Sequence, residues 1–421
     1  MAEIKGFRAL RFTDKAGDKK QVCCPPYDII SEEEKQAFLR ENEHNIIRLE
    51  LPEQTPEGYK SAADTLGVWE AEGYLAQDKK ESIYIYEEKF EVAGVNYAFR
   101  GFTCYAKLHE FSENIILPHE ETLSKAKTDR LNLLKASGCS FSQIYSLYSD
   151  KTGETARLIS ELSSGAPDDT FTDNAGVTHS LWAVENNEKT AEIYRQFENR
   201  KLYIADGHHR YETALNYRKY CRENGKNEEN SEYIMMFLID MENDGLVVFP
   251  THRIVRELES FNREDVLKKS EKYFDVKKIA PENAQSELDA AYNKGEKAFV
   301  MLCRENADLL TLKDITVMDK LFPEKSEALR RLDVSVLHSL ILEEIMGIDK
   351  ENMAKQINLT YTRSDTEAYQ AAKTYADCSF LINPTRVEEI ALVAAAGEKM
   401  PQKSTYFYPK LITGLVMNKV R

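Results

Sequence analysis

One stretch, LYIADGHHRYETALNYRKY at residues 202–220, constrains the fold of this chain more than any other because its pattern changes within it. The first four letters form a short apolar run, which is typical of a buried strand. From His208 onward the stretch contains helix formers, with apolar side chains at helical spacing. The sequence therefore predicts a strand that passes into a helix across Asp206 and Gly207, and hence a fold built from both kinds of element.

A β-hairpin is predicted at residues 82–108. Two runs rich in aromatic and β-branched residues, SIYIYEEKFEV and YAFRGFTCYAKL, flank the turn letters AGVN. Further strands are predicted for NIIRLELP (45–52) and YIMMFLI (233–239), and a helix for 55–75. A hairpin with interspersed helices indicates an α+β fold. Changes in composition and pattern divide the chain into an N-terminal α+β region with the hairpin, a middle core and a C-terminal α+β domain, at residues 1–108, 109–256 and 257–421.

The composition limits the classes of partner. With 71 acidic against 56 basic residues, the 421-residue chain has a formal net charge of −15, which repels the phosphates of nucleic acids. No segment approaches the ~20 consecutive apolar residues that span a bilayer. The seven cysteines are scattered and form no CxxC pair, which fits reduced thiols better than a disulfide framework or a zinc site. We therefore expect a cytoplasmic protein without a nucleic-acid partner, a membrane partner or a protein-held metal.

The predicted turn has the chemistry of an anion site. A helix start offers unpaired N–H groups and the positive end of the helix dipole. Gly207 lets a phosphate approach the backbone, and Arg210 offers a planar set of donors. Two alternatives use the same residues, because Asp206 could simply cap the helix and the two histidines could bind a metal. Neighbouring helical residues diverge by about 100°, so His208 and His209 do not form a chelating pair and phosphate binding is favoured.

A second group of functional residues is predicted within LPHEETLSKAKTDRLNLL, residues 117–134. His119 and Glu120 follow a proline just before a helical pattern, and Glu120 is a candidate general base. The helix after them carries more charged residues, which fit either the same site or a solvated helix face: Glu121, Lys125, Lys127, Asp129 and Arg130.

The C-terminal segment GEKMPQKSTYFYPK, residues 397–410, imitates a phosphate-binding P-loop. The match fails at Gln402, where the motif needs glycine, and the letters after it favour a strand where a P-loop requires a helix. Lys403, Ser404 and Thr405 remain candidates for binding an anion through an ammonium group and hydroxyls, against the alternative of an ordinary loop. Weaker candidates for lining a pocket, each with a structural alternative, are Asp28 in PPYD, Arg48 in NIIRLELP and the pair His252-Arg253.

Four strings together, PPYDIIS, NIIRLELP, ADGHHRYETA and MPQKSTYFYPKL, resemble the bacterial DUF1015 family along nearly the whole chain. The middle of the chain resembles the ParB/sulfiredoxin-like superfamily of nucleotide-binding proteins. Within it, the archaeal ADP-dependent free-serine kinases are similar in carrying the string DGHHR and an upstream Pro-His-Glu. Their Pro-Lys-Thr-Thr segment near the C-terminus has an approximate counterpart in residues 401–405. Residues 1–108 have no counterpart in this resemblance.

The resemblance implies a ParB/sulfiredoxin-like core and a phosphotransferase that uses ATP or ADP with Mg²⁺. It implies that Glu120 and Asp206 act on the acceptor hydroxyl, one taking or orienting its proton and the other helping to position it. The turn amides with His208, His209 and Arg210 would stabilise the transferring phosphoryl group. Lys403 with Ser404 and Thr405 would hold the product phosphate or the substrate carboxylate. The implied substrate-binding residues are His119, Lys403, Ser404 and Thr405, with Arg48 and Asp28 as additional candidates.

We therefore expect a small-molecule kinase that phosphorylates a hydroxyl of a small metabolite, with free L-serine as the leading acceptor and a role in serine metabolism. Two other functions fit the same residues. One is a nucleotide-binding regulatory protein in which a ParB-like fold acts as a switch. The other is a phosphatase that uses the same carboxylates with water as the acceptor.

Overall fold

The computed structural model describes residues 1–120, 124–226 and 228–421, and the side chains of 124–126 are not described. These residues form two compact units. The first consists of Met1–Pro118, Thr122–Val247 and Pro409–Arg421, and the second of His119–Glu121 and Val248–Tyr408. Each unit combines strands with helices, so the predicted α+β class is confirmed.

The described part of the chain contains the strands and helices that follow, numbered in chain order. The strands are β1 (Ile4–Lys5), β2 (Leu10–Phe12), β3 (Leu75–Gln77), β4 (Ser82–Val92), β5 (Val95–Lys107), β6 (Ile116–Leu117), β7 (Cys139–Ser140), β8 (Ile144–Tyr148), β9 (Asp169–Thr172), β10 (Thr178–Glu185), β11 (Leu202–Asp206), β12 (Tyr233–Asp240), β13 (Val247–Phe249), β14 (His252–Val255), β15 (Phe274–Ile279), β16 (Ala298–Cys303), β17 (Asn306–Leu312), β18 (Leu359–Thr362), β19 (Cys378–Ile382), β20 (Tyr406–Tyr408) and β21 (Asn418–Lys419). The helices are α1 (Lys19–Val22), α2 (Glu32–Glu41), α3 (Ile47–Glu50), α4 (Pro56–Ala71), α5 (Ser124–Ser137), α6 (Glu154–Leu162), α7 (Glu188–Phe197), α8 (His208–Glu223), α9 (Arg263–Ser270), α10 (Ala284–Asn293), α11 (Thr316–Leu321), α12 (Glu327–Arg330), α13 (Asp333–Val336), α14 (Lys350–Lys355), α15 (Asp365–Thr374) and α16 (Val387–Ala395). A π-helical segment, Leu337–Ile345, follows α13.

The first unit is built on a nine-stranded sheet. Eight strands follow the order β6-β11-β8-β12-β5-β4-β10-β9, and β1 pairs with β5. Helices α6, α7 and α8 contribute apolar side chains to the buried cluster on this sheet, for example Leu158, Phe197 and Tyr211. The division predicted at residue 108 does not separate two units, because β5 ends just before that point and pairs with β12 from the following region. The boundary predicted at 256 lies beyond Val247, where the middle segment of the first unit ends, and Pro409–Arg421 also belong to that unit.

The predicted hairpin is confirmed, since β4 and β5 pair in antiparallel register. Its turn consists of Ala93 and Gly94, which both have positive φ, at 51° and 79°. Two such residues are typical of the type I′ turn, whose twist matches that of the flanking strands. The strand predicted at 233–239 and the helix predicted at 55–75 are also present, as β12 and α4.

The strand predicted at residues 45–52 is wrong, because this segment contains the helical turn α3. The side chain of Asn45 accepts a hydrogen bond from the N–H of Ile47 at 3.0 Å and so starts the turn. Its Nδ2 also donates to the carbonyl of Gln21 at 2.7 Å. The hydrogen bonds of this polar residue at the start of the apolar run thus favour a helical turn over an extended strand.

The second unit has its own six-stranded sheet, in the order β15-β17-β16-β19-β14-β18. Helices α10 and α15 pack on it and contribute Leu288, Ala368 and Ala372 to a buried apolar cluster. The apolar run AFVMLC forms the buried strand β16. No helix in the described part of the chain combines the length and the apolar character needed to cross a membrane.

A buried group of polar side chains lies on the sheet of the first unit. The hydroxyl of Tyr86 is 2.6 Å from His179 Nδ1 and donates to Glu88 Oε1 at 2.6 Å. His179 Nε2 lies 3.2 Å from Asp173 Oδ2. Burial by itself would lower the pKa of His179, but the carboxylates of Asp173 and Glu88 outweigh it and raise that pKa to about 9.

This histidine predicts a dependence of stability on pH. The pKa of His179 is ~6.5 in the unfolded chain and about 9 in the folded protein, and this difference corresponds to up to about 3 kcal/mol of stability. The stabilisation is fully present below pH ~6.5 and is lost as the pH rises through about 9. Urea titrations measure the difference in free energy of unfolding between the wild type and His179→Gln. This difference should therefore decrease as the pH rises from ~6.5 to about 9. Asp173→Asn should reduce that fall, because one of the two carboxylates is gone. A difference that does not change with pH would contradict a charged His179.

Candidate functional site

The predicted turn lies in the first unit, between β11 and α8. Strand β11 ends at Asp206, α8 begins at His208, and Gly207 between them is left-handed with φ of 91°. A side chain is disfavoured at such a φ, so the turn itself needs the glycine. Gly207 occupies the N-cap position, and the alternative in which Asp206 is the N-cap is therefore wrong. Of the two histidines, His208 is buried and His209 is half-buried.

The carboxylate of Asp206 joins two cations. Its Oδ2 accepts from Arg210 Nη2 at 2.7 Å, and its Oδ1 accepts from Lys410 Nζ at 2.6 Å. Burial by itself would raise the pKa of Asp206, but the charges of Lys410 and Arg210 outweigh burial and hold that pKa well below its usual range. Such a carboxylate stays charged and is a weak base. Asp206 thus holds two cations beside the start of α8, where the helix dipole is also positive.

Arg210 lies against the glycine of the turn. Its guanidinium also donates to the carbonyl of Gln143, so Asp206 and this carbonyl together fix its orientation. A Cβ on Gly207 would come within 3.0 Å of Arg210 Nε and 3.1 Å of Cζ. The turn therefore brings the Arg210 guanidinium against the glycine and combines two fixed cations with a helix N-terminus, which are features of an anion site.

A network of buried charges lies next to Arg210 in the first unit. Arg130 donates to the carbonyl of Glu50 at 2.7 Å and to the carboxylate of Asp129 at 2.6 Å. Its guanidinium lies 4.2 Å from the centre of the Tyr27 ring. Asp129 is 9% exposed and Arg130 6%, so the alternative of a solvated helix face is wrong for both. Glu50, Arg130 and Arg210 all line a cavity of about 40 Å³, which has room for at least one water.

The two weaker candidates of the first unit have different surroundings. Asp28 is exposed in the short turn Tyr27–Ile29. Burial lowers the pKa of Arg210, but neighbouring acidic groups, Asp28 among them, outweigh burial and raise it. Arg48 is exposed on α3, and its Nε donates to the carbonyl of Glu43 at 3.1 Å. The structure thus places Asp28 within electrostatic range of the turn and Arg48 on the surface.

Two predicted motifs come together within the second unit. His119 and Glu120 run beside the C-terminal segment that carries the other candidate anion-binding residues. The N–H of Met400 donates to the carbonyl of His119 at 2.7 Å, and the N–H of Lys403 donates to Glu120 Oε1 at 2.9 Å. His119 Nε2 and Thr405 Oγ1 are 3.1 Å apart. The carboxylate of Glu120 is therefore oriented by the loop that holds Lys403.

This loop is not a P-loop, as its sequence predicted. Helix α16 ends at Ala395 and the next element, β20, is a strand that begins at Tyr406. Lys403 is exposed and has φ of 58°, which is uncommon for a residue with a side chain. Ser404 is buried, and its Oγ donates to the carbonyl of Pro401 at 2.5 Å. Ser404 stabilises the shape of the loop, whereas the charge of Lys403 reaches solvent.

The sequence prediction missed Lys410 and His338. Lys410 belongs to the string MPQKSTYFYPKL, which is the only sequence signal for it, and it lies 204 positions from Asp206. Arg253, a weaker candidate, is fully buried in the second unit. It donates to His338 Nε2 at 3.2 Å and to the carbonyl of Lys403 at 3.3 Å. Burial lowers the pKa of Arg253 to about 10.

The remaining candidates are the charged residues in and just before helix α5 and any group of metal ligands. Lys127 pairs with Glu212 of α8 at 2.6 Å. Glu121 and the side chain of Lys125 lie outside the described part of the chain. Among the described residues, no group of three or more histidine, cysteine, aspartate or glutamate side chains is arranged to hold a metal ion.

The family of the chain follows from its sequence. Residues 4–335 match the model of a family described as a protein of unknown function, DUF1015. The match spans well over half of the chain, so the chain belongs to the DUF1015 family, as its four strings predicted. No curated protein matches the sequence.

Several solved structures are similar at low identity. A conserved hypothetical protein from Pyrococcus furiosus is 15% identical, with 71% of this chain and 88% of that chain covered and a TM-score of 0.34. A free serine kinase in complex with AMP is 16% identical, with 71% and 85% covered and a TM-score of 0.36. SbnI from Staphylococcus aureus, with a C-terminal truncation, is 10% identical, with 74% and 87% covered and a TM-score of 0.36. Similarities at this level do not assign a role to any residue of this chain.

Proposed function

We propose that the protein is a phosphotransferase that uses ATP or ADP to phosphorylate a hydroxyl of a small metabolite, with free L-serine as the leading acceptor. One observation carries the proposal: at the turn of Gly207, one carboxylate holds Arg210 and Lys410 beside the start of α8. Phosphoryl transfer depends on positioning and on neutralising charge, and this group of donors suits both. The choice of serine comes only from the resemblance to free-serine kinases, which consists of DGHHR, the upstream Pro-His-Glu and the approximate counterpart at residues 401–405.

In the proposed reaction, the acceptor oxygen forms a bond to the terminal phosphorus of the nucleotide. The bond from that phosphorus to the bridging oxygen breaks, the electron pair stays on the leaving nucleotide, and the hydroxyl proton passes to a carboxylate. Asp206 is a poor proton acceptor because its pKa is held low, and it is suited to positioning Arg210 and Lys410. The resemblance implies that one of Glu120 and Asp206 takes or orients this proton, and we propose that it is Glu120, which the N–H of Lys403 orients.

The residues of the turn fit a phosphate group better than a metal ion. Each oxygen of Asp206 already accepts a hydrogen bond from a cation, and the described residues contain no group of three metal ligands. Mg²⁺ bound to a nucleotide is held largely by phosphates and water. We therefore propose that Mg²⁺ enters with the nucleotide, and assign no step to a protein-bound metal.

A second candidate function is nucleotide binding without phosphoryl transfer, as in a regulatory switch. One observation favours it: Asp206 is a weak base engaged with two cations, an arrangement that suits holding a phosphate more than activating a hydroxyl. The two functions differ in whether a phosphorylated product forms.

Phosphorus NMR distinguishes these functions. We expect O-phosphoserine when the full-length protein is incubated with L-serine, Mg²⁺ and either ATP or ADP. Arg210→Gln should form it about 10²-fold more slowly, because a contact that neutralises charge in the transition state is lost. Nucleotide binding without phosphorylation of any hydroxy compound would support the switch. Release of inorganic phosphate from O-phosphoserine without nucleotide would identify a phosphatase, and the absence of both binding and turnover would contradict the proposal.

A further inference from the structure

The second unit contains a cavity of about 200 Å³ to which the proposed function gives no role. Helices α11, α12 and α14 and the loop before Lys403 contribute apolar side chains to it. The buried ones are Met318, Leu329, Met353 and Met400. A cavity of about 150 Å³ is enough to hold benzene, so this one has room for a compact molecule of roughly ten non-hydrogen atoms and is too small for a whole nucleotide.

Polar groups line the same cavity from α13 and the π-helical segment after it. Ser335 is 8% exposed, and its buried Oγ has no hydrogen-bond partner in the described part of the protein. His338, 5% exposed, lies at the start of the segment Leu337–Ile345. A buried hydroxyl without a partner is unfavourable unless a ligand or a water satisfies it. π-Helical turns are rare and are frequently found at functional sites.

Arg253 determines which nitrogen of His338 carries the proton. Arginine only donates, so His338 Nε2 accepts from Arg253 Nε at 3.2 Å and the proton lies on Nδ1. Burial, reinforced by the charge of Arg253, lowers the pKa of His338 well below its usual value and keeps the ring neutral. Arg253 also donates to the carbonyls of Thr251 and Lys403, and the carboxylate of Glu120 acts on its charge. The charge that acts on His338 is that of Arg253. The electrostatic potential on the side of the imidazole that faces Arg253 is therefore positive.

Cations outnumber carboxylates among the residues that line the cavity. The charged lining residues are Lys325, Arg330, Glu343, Lys350 and Lys399. Arg330 is engaged by Asp319 at 2.8 Å, and Lys325 lies 4.0 Å from Glu398. Lys350 is exposed at the start of α14. With Asp319 and Glu398 counted, four cations face three carboxylates, and this excess of positive charge favours an anionic ligand.

We infer that this cavity binds a small organic carboxylate with an apolar body. The apolar walls surround the body, while the hydroxyl of Ser335 and the imidazole N–H of His338 donate to the carboxylate within a positive field. These buried donors are neutral, which suits a single delocalised charge, whereas a doubly charged phosphate needs cations in direct contact. A ligand of this kind differs chemically from a nucleotide and from free serine. The experiments below can therefore contradict this inference without contradicting the proposed function, and the reverse also holds.

Benzoate is a probe of suitable size, and benzamide is its neutral isostere. Methionine-methyl NMR of the full chain reports on the site, because Met318, Met353 and Met400 line the cavity while Met235 and Met236 lie in β12 of the first unit. We expect benzoate to shift the first three signals saturably, with a Kd of about 1 mM or lower, and to leave the other two unchanged. Benzamide should bind at least ~10-fold more weakly because it lacks the charge.

Two substitutions with a matched control test the polar contacts. Ser335→Ala should weaken benzoate binding about tenfold without lowering thermal stability, because its Oγ has no partner to lose. Lys350→Gln should weaken binding severalfold. Lys355→Gln, on the same helix, should not, because Lys355 pairs with Glu351 at 2.5 Å and does not line the cavity. Equal affinities for benzoate and benzamide, unmoved methionine signals, or full affinity in Ser335→Ala would each overturn the inference.

Discussion

Replacing Arg210 with glutamine is expected to weaken the binding of ADP and ATP about 100-fold, or ~3 kcal/mol, the size of a lost charge-assisted contact. The guanidinium is fixed by Asp206 and the carbonyl of Gln143 and lies against Gly207, so a phosphate at this turn would meet it directly. Asp206 keeps Lys410 as a partner in the variant, so the fold should survive. Isothermal titration calorimetry with each nucleotide and Mg²⁺ measures the change.

Arg218 provides the matched control, because it lies on the same helix and is 7% exposed. It donates to the carbonyl of Leu108 at 2.6 Å and to Glu110 at 2.7 Å. Arg218→Gln should lower stability and leave nucleotide affinity unchanged. If both variants lose affinity equally, the loss comes from disturbing α8, and the proposed contact with Arg210 is wrong.

A second large effect is expected for Gly207→Ala, which should lower the free energy of unfolding by about 1–3 kcal/mol and remove most nucleotide binding. Alanine is disfavoured at φ of 91°, and its Cβ would lie 3.0 Å from Arg210 Nε. The guanidinium would have to move from its place beside Asp206, and the methyl group would block the approach to the backbone. Urea titration and calorimetry measure the two effects separately.

Gly153→Ala separates the cost of backbone strain from the effect on the site. Gly153 is also a left-handed N-cap glycine, with φ of 67° at the start of α6, and no atom lies within 4 Å of a Cβ built on it. Its substitution should cost a similar amount of stability and leave nucleotide binding intact. Wild-type affinity in Gly207→Ala would show that the backbone of the turn does not contact the nucleotide.

Local patterns were sufficient to predict the elements that position the turn. The change from an apolar run to helical spacing predicted β11 and α8, and the letters AGVN between two aromatic-rich runs predicted the β4–β5 hairpin. Each of these predictions depends on residues close in sequence: a glycine that tolerates positive φ, and side chains that repeat with the period of a strand or a helix.

The tertiary partners could not be predicted in the same way. Lys410 lies 204 positions from Asp206, and no local pattern connects them. The helical pattern around Arg130 fits a solvated face equally well, and its burial depends on distant groups such as Glu50. The apolar run at 45–52 fits a short strand or a helical turn by periodicity, and the hydrogen bonds of Asn45 decided for the turn.

A crystal structure of the protein with ADP and Mg²⁺ tests phosphate binding at Gly207 most directly. We predict that the terminal phosphate lies within hydrogen-bonding distance of Arg210, Lys410 and the first N–H groups of α8. A nucleotide bound elsewhere, with no phosphate in contact with Arg210 or Lys410, would contradict phosphate binding at this turn.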